Sequence, residues 1–406
     1  MSLTVRTIEA SELPGWVASM GAGFFQELTD DYAAYFAGEV DLERTWAALD
    51  GKQVVGTLRS FQTELTVPGP VGLTVAALTN VTVSATHRRH GLLTQMITED
   101  LTASAERGEA LNILIASEYP IYGRFGYGPA VEGAAYLIDA VAARFRQPSA
   151  GTVERVDLTE LRKEAPQLYD RFRSRQPGAI ERSDRWWDRT LRQVEVPGEP
   201  PPKGYGAVYR SPDGELQGYL RYRGKPNWDN FRPQGTLIVD DLCAVTAAAY
   251  QRLWQYCCEV DLMTAVEAGT RSVSEALPLL LADGRAVQQT GRHDFVWVRV
   301  LDVPAALAGR RYAVEGRLVV EVPDPAGIAQ GRYLLEGGPG GANCERTDRT
   351  PDLTLPIDAL GSIYLGGTRL HSFAYAGRIE EHRPGALAEA DAMFSSYLPP
   401  WCNTWF

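Results

Sequence analysis

Polar and apolar positions alternate along KQVVGTLRSFQTELTV and LTVAALTNVTVSAT, which predicts two long strands joined by a turn at Pro68-Gly69-Pro70. Ahead of them TVRTI reads as a first strand, and the apolar residues from Trp16 to Phe36 recur at helical spacing. Behind them GLLTQMITEDLTASAERG reads as an amphipathic helix closed by Gly108, and ALNILIAS as a buried strand. Residues 1–130 thus form a unit in which a basic loop separates the second long strand from the helix.

The pattern restarts at 131. DLTELRKEAPQLYDRFRSRQPG opens with Asp157 and Glu160 placed as a capping box and predicts a helix; SDRWWDRTLRQ predicts another, with Ser183 as N-cap. The Pro-rich VPGEPPPKG is a surface connection, and GAVYRSPDGELQGYLRYR gives two strands around Pro212-Asp213-Gly214. A strand in GTLIVDDLCAV and a helix in AAAYQRLWQYCCEVD then restore the alternation. This unit, 131–290, repeats the layout of the first without a basic loop at its strand-to-helix junction. Residues 291–406 change character: FVWVRV predicts a strand, VPAALAG a short helix, GRLVVEV and GRYLLEGG strands, and LPIDALGSIYLGG and GALAEADAMFSS helices. The fold class expected is therefore α/β and α+β multidomain. The last segment, SYLPPWCNTWF, is apolar and aromatic where chain ends are normally polar, so it packs into the protein or forms an oligomer contact.

Composition narrows the partners. The 406 residues, 45% apolar and 22% charged, suit a folded globular protein. A net charge of −11 argues against nucleic-acid and anionic-membrane partners and suits a cationic small molecule. MSLTVRTIEASELPGW lacks the pattern of a secretory signal, and the apolar run Ala276–Ala282, broken by Pro278, is far too short for a membrane span; a cytoplasmic protein is expected. Cys243, Cys257, Cys258, Cys344 and Cys402 make no C-x-x-C, and His87, His90, His293, His371 and His382 are dispersed, so no metal site is expected.

The chemistry gathers in VTVSATHRRHGLLTQM. A basic, glycine-containing turn ahead of a helix aims several backbone N–H groups and the positive end of the helix dipole at one spot, as a pyrophosphate requires. Arg88 and Arg89 add charge-assisted donors there, whereas a solvated basic turn would look the same. Neither a G-x-x-x-x-G-K loop nor G-x-G-x-x-G is present. Phe24, Phe25, Glu27, Asp30, Asp31, Tyr32 and Phe36 could line a site for a cationic, sugar-like molecule, or form a helix with one wet and one buried face.

Arg88-Arg89-His90-Gly91-Leu92-Leu93 resembles the R/Q-x-x-G-x-G/A pyrophosphate loop of the GCN5-related N-acetyltransferases (GNAT), with Leu93 where that pattern has Gly or Ala. Together with ASEYPIYGRFGYGPA at Ala116–Ala130, WVRVLDVPAALAGRRY, LGSIYLGG and the aromatic C-terminus, the chain resembles the Eis (enhanced intracellular survival) acetyltransferase family over nearly its whole length. The resemblance implies an acetyl-CoA-binding GNAT domain at 1–130, a central GNAT-like domain without coenzyme at 131–290, and a sterol-carrier-protein-like domain at 291–406. It further implies a homohexamer, a trimer of dimers, and N-acetylation of aminoglycosides or other polyamine small molecules. By the same match, backbone groups of Val81, Thr82 and Val83 hold the pantetheine arm, and Arg88, Arg89, His90, Gly91, Leu92, Leu93 and Thr94 wrap the pyrophosphate. Ser117 flanks the coenzyme, Tyr122 is the general acid, and the carboxylate of Phe406 is the general base.

Tyr127 is expected to pack; on their own residue chemistry His87 and His90 could contact a coenzyme phosphate or be exposed polar spacers. The region around Gly366-Gly367 and His371 is expected to act as a scaffold that delivers the C-terminus to the first domain. Trp405, next to Phe406, brings no acid to a substrate, which leaves room for a less cationic amine. The rival acceptors are a protein lysine or a biosynthetic amine. A rival of another class is a non-enzymatic apolar-ligand carrier, which would have no use for the Arg88-Arg89 loop and Tyr122.

Overall fold

Two seven-stranded sheets and one five-stranded sheet organise the chain. The computed structural model describes residues 2–200 and 203–406, so Pro201 and Pro202 of the Pro-rich connection lie outside the described residues. In the first sheet the order is Leu3–Thr7, Thr45–Asp50, Gln53–Val67, Val71–Val83, Leu111–Ile115, Val296–Val300 and Gly128–Pro129. Neighbours are antiparallel except Val71–Val83 and Leu111–Ile115, which run parallel. Alternation predicts the two long strands but not Thr45–Asp50, and the apolar positions of all three sort between two faces. Ala48, Leu58 and Leu78 meet Met96, Ile97 and Leu101 of the helix Leu92–Glu106, while Ala47 and Leu49 meet Trp16, Val17 and Phe36 of the helices Leu13–Gly23 and Asp30–Phe36. Each such side chain withdrawn from water stabilises the unit by about 1.5–3 kcal/mol.

The second sheet repeats the plan, with a single parallel pair, Gly235–Ala244 beside Met263–Arg271. Its other strands are Val287–Asp294, Glu132–Asp139, Leu216–Lys225, Tyr205–Arg210 and Thr152–Val156. The expected helices are present at Leu158–Arg173, where the Asp157 side chain accepts from Glu160 N, and at Asp184–Thr190, where that of Ser183 accepts from Trp186 N. The third sheet is built on Gly316–Val322, Gly331–Gly338 and Gly341–Arg346.

The expected cut between 290 and 291 falls inside the strand Val287–Asp294 of the second sheet. The next strand, Val296–Val300, expected to open the third unit, pairs instead with Leu111–Ile115 of the first sheet, with Val298 opposite Ile113. Helix Ile357–Ile363 of the third unit packs on that strand so closely that a Cβ at Gly361 would strike the Val298 carbonyl oxygen. One hydrophobic core consequently joins Val75, Ala77 and Ile113 of the first sheet to Leu318, Val320 and Leu360 of the third unit. No helix among the described residues is long and apolar enough to cross a membrane.

Candidate active site

The parallel pair in the first sheet is short. Ala76, Ala77 and Leu78 face Asn112, Ile113 and Leu114, and there the pairing stops. On the other flank, Thr57 faces Thr82 but Arg59 faces Thr79, so Asn80 and Val81 bulge out of register. Asn80 takes a left-handed φ of 56°, and its carbonyl accepts from Thr57 Oγ1 at 2.8 Å. The strands diverge around a cavity of about 130 Å³ lined by Leu78–Val81, Leu114–Ser117, Phe24, Tyr122, Trp405 and Phe406. Hollows of about 480 to 700 Å³ lie elsewhere on the molecule, and none of them gathers the candidate residues.

Beyond the bulge the chain passes Thr82 and Val83 into the exposed loop Arg88-Arg89-His90-Gly91. Arg89 and Gly91 are left-handed, at φ 68° and 77°, which turns the loop into the helix Leu92–Glu106. Gly91 is the N-cap and carries no capping side chain, so the N–H groups of Leu92, Leu93 and Thr94 have no hydrogen-bond partner among the described residues. Fifteen residues of helix lie behind those free donors, a concentration of partial positive charge suited to phosphate. The free N–H groups suit the pyrophosphate, and the unpaired flank of Asn80–Val83 the pantetheine arm, of a coenzyme A chain.

Tyr122 sits on the turn Tyr119–Tyr122, begun by Pro120, and is 4% exposed. Its ring lies edge-on to Tyr127 at 6.2 Å. Tyr127 is fully buried, as expected of a packing residue, and donates to Asn112 Oδ1 at 2.7 Å. Burial pushes the Tyr122 phenol above its ordinary pKa of 10, while the Ser117 hydroxyl pulls partly back. The phenol therefore keeps its proton at neutral pH.

The tail reaches this cavity along the central unit. Gln176 Nε2 donates to Pro399 O and Trp401 N to Pro177 O, each at 2.8 Å. Asn403 Nδ2 donates to Asp241 Oδ1 at 2.6 Å, and Thr404 Oγ1 accepts from Arg182 Nε at 2.9 Å. Arg182 and Asp241 pair at 2.7 Å with both side chains nearly sealed from solvent, and Tyr219 donates to the same Asp241 oxygen at 2.7 Å. Trp186 Nε1 donates to Trp405 O, and Phe61 meets Phe406 edge-on at 6.0 Å. The expected scaffold for the C-terminus was the third unit; that unit supplies the helix from which the tail departs, but the central unit grips it. Sequence reading missed Gln176, Arg182 and Asp241, which carry no local signal beyond being polar.

Of the expected site residues, Val81, Ser117, Tyr122 and Phe406 line one cavity. Thr82, Val83 and Arg88–Thr94 continue from it toward the helix start and do not line it. Thr82 is buried and its hydroxyl bonds that of Thr57 at 2.7 Å. Among the aromatic and acidic residues read as a substrate lining, Phe24 borders the cavity, Tyr32 and Phe36 are core, and Phe25, Glu27, Asp30 and Asp31 are exposed. His87 lies 3.5 Å from Asp50, and His371, exposed, 3.5 Å from Asp391. Around the Gly366 turn the interior is filled by Arg310, Tyr312, Tyr364 and Phe394.

A parallel pair that parts at a bulge beside an open helix start defines a GCN5-related N-acetyltransferase fold. Profiles of GNAT acetyltransferase domains match residues 4–130 and 178–300, and that of a sterol carrier protein domain matches 303–403. An uncharacterized N-acetyltransferase of Streptomyces griseus is 41% identical over 99% of both chains, and the N-acetyltransferase Eis of Mycobacterium tuberculosis is 34% identical over 98% of both. The crystal structure of Eis1 from Mycobacterium abscessus superposes with a TM-score of 0.87 at 32% identity, covering all of both chains. The chain belongs to the Eis-type N-acetyltransferases, enzymes of a superfamily that uses acyl-CoA.

Proposed function

We propose that the protein transfers acetyl from acetyl-CoA directly to the amine of a small molecule, with Tyr122 as general acid and the Phe406 carboxylate as general base. The convergence of Tyr122, from the first unit, and Phe406, from the C-terminal tail, on one cavity carries this reading. When bound, acetyl-CoA supplies the acetyl group as a thioester. The backbone of Val81, Thr82 and Val83 holds the pantetheine arm, an N–H of that strand faces the carbonyl oxygen, and Ser117 flanks it. Arg88, Arg89, His90 and the N–H groups of Gly91, Leu92, Leu93 and Thr94 hold the pyrophosphate. Phe406 takes the proton that frees the amine for attack, the N–C bond forms as the C–S bond breaks, Tyr122 Oη gives its proton to the leaving sulfur, and the second proton shed by the new amide nitrogen restores the phenol.

Aminoglycosides and other polyamines are the acceptors the family resemblance supplies, and the exposed Glu27, Asp30 and Asp31 near Phe24 favour the approach of a cation. The same resemblance supplies a homohexamer, which sedimentation would test, and a central unit that takes no coenzyme, while the cytoplasmic location comes from the sequence reading. Extending the chain by a few residues beyond Phe406 replaces the base with an amide. Turnover, followed as thiol release, is then expected to fall by about 10²-fold or more while calorimetry still finds coenzyme binding. Unchanged turnover would remove Phe406 from the mechanism.

A further inference from the structure

Beside the cavity, and joined to it through Asn80 and Phe61, stands Arg59, a cation with no acidic partner among the described residues. It lies on the strand Gln53–Val67 and is 9% exposed. Ser60, its neighbour, points to the opposite face and bonds Asp100 at 2.6 Å, so Arg59 and Phe61 share the face that carries Phe36 and Phe406. The guanidinium stands 5.0 Å from the Phe36 ring centroid and 5.5 Å from that of Phe61, whose edge meets Phe406. Nε donates to Asn80 Oδ1 at 3.3 Å, and Asn80 lines the cavity with Tyr122. Nη1 donates to the Glu39 carbonyl at 3.0 Å. Nη2 donates to nothing among the described residues.

No carboxylate of the described residues lies within ion-pair distance of Arg59; that of Glu39, the acid nearest in charge, is taken by Arg185. Arg44 and Arg299, also buried, leave nitrogens unpaired, but each holds a carboxylate. Arg310, like Arg59, lacks a carboxylate, but its three nitrogens donate to the carbonyls of Arg311, Tyr364 and Phe394. Arg59 has two stacked rings and one idle nitrogen, and burial pulls its pKa below the ordinary arginine value. The partnerless nitrogen keeps solvent contact rather than being sealed, so an anion can reach it, and a planar guanidinium favours a carboxylate.

We propose that Arg59 is a specificity-determining residue that receives a carboxylate borne by the acceptor a few atoms from the amine to be acetylated. The inference rests on the transferase reading and deepens it: the preferred acceptor is an amino-acid-like amine rather than a molecule that presents only further amines.

Matched amines that differ by one carboxylate test this, ornithine against putrescine and lysine against cadaverine, with thiol release followed in the full-length protein. The native protein is expected to favour the carboxylated member by about tenfold or more in kcat/KM, mostly through KM. Arg59→Met is expected to erase that preference while binding coenzyme A with native affinity, and Arg59→Lys to keep part of it. If Arg59→Met fails to bind coenzyme, the native comparison and Arg59→Lys decide alone. Equal rates within both pairs, a preference for the decarboxylated amines, or a preference that survives in Arg59→Met overturns the assignment and leaves the transferase reading standing. Absence of thiol release with every amine, aminoglycosides included, overturns the transferase reading itself and this assignment with it.

Discussion

The first and central units share a seven-stranded plan with one parallel pair, yet they treat the gap in that pair in opposite ways. In the first unit the strands part after Leu78 and Leu114, and the following helix begins at Gly91 with its leading N–H groups unpartnered among the described residues. In the central unit pairing runs from Gly235 to Val239, and Arg271 then crosses to donate to Leu242 O at 2.9 Å. Its guanidinium also covers the Trp401 ring at 4.5 Å. The next helix is closed by its own Thr246, whose hydroxyl accepts from Ala249 N. Asp241, on the strand that parts, binds the tail. A cradle in one unit corresponds to a plug and a clamp in the other, and the clamp serves the cradle by bringing Phe406 to it.

Changes on the two sides of this contrast are expected to separate cleanly. The largest effect belongs to Tyr122→Phe, which should lower kcat by about 10²-fold with little change in coenzyme affinity. Because burial raises the Tyr122 pKa, the donating form is complete below pH 10 and is lost only as pH climbs through the raised value. The alkaline fall of kcat belongs above pH 10, and a fall near neutrality that Tyr122→Phe abolishes would contradict the assignment. Next comes Asp241→Asn, which leaves Arg182 sealed beside the tail without its partner. Loss of about 3–5 kcal/mol of stability is expected in denaturant titrations. Coenzyme affinity should stay native while kcat drops, since the loosened tail lies downstream of the coenzyme cleft.

Replacing Arg88 and Arg89 together by Ala should weaken coenzyme A binding by about tenfold, with a shallower dependence on salt. The smallest effect is Thr246→Ala, the cap of the corresponding helix in the central unit. It should cost about 1 kcal/mol of stability and leave coenzyme affinity untouched. Calorimetry that finds two coenzyme molecules per chain would collapse the contrast.

Much of this was legible because it is local. Alternation located the strands flanking the cleft, Ser183 and Asp157 announced their helices, and the run from Thr82 to Thr94 exposed the loop and its open helix start. Strand Gly341–Arg346, GANCER, went unread because it carries no apolar alternation. What remained hidden is pairing over long separations. Nothing in VWVRV says that it seeks Leu111–Ile115 rather than its own neighbours. Arg182 and Asp241 are ordinary polar residues until the tail lies across them, and Arg59 reads as one polar position in an alternating strand. The route of residues 395–406 is set by side-chain bonds to another unit, which no periodicity records.

The strand Val296–Val300 has a consequence for biosynthesis. A ribosome delivers it only after the whole central unit has emerged, and until then the strand Leu111–Ile115, Ile113 and Leu114 included, is a bare sheet edge. The nascent chain must therefore carry an unfinished first sheet until residue 300 has been made. A fragment stopped near residue 130 is left with that edge permanently open, fit for aggregation rather than catalysis.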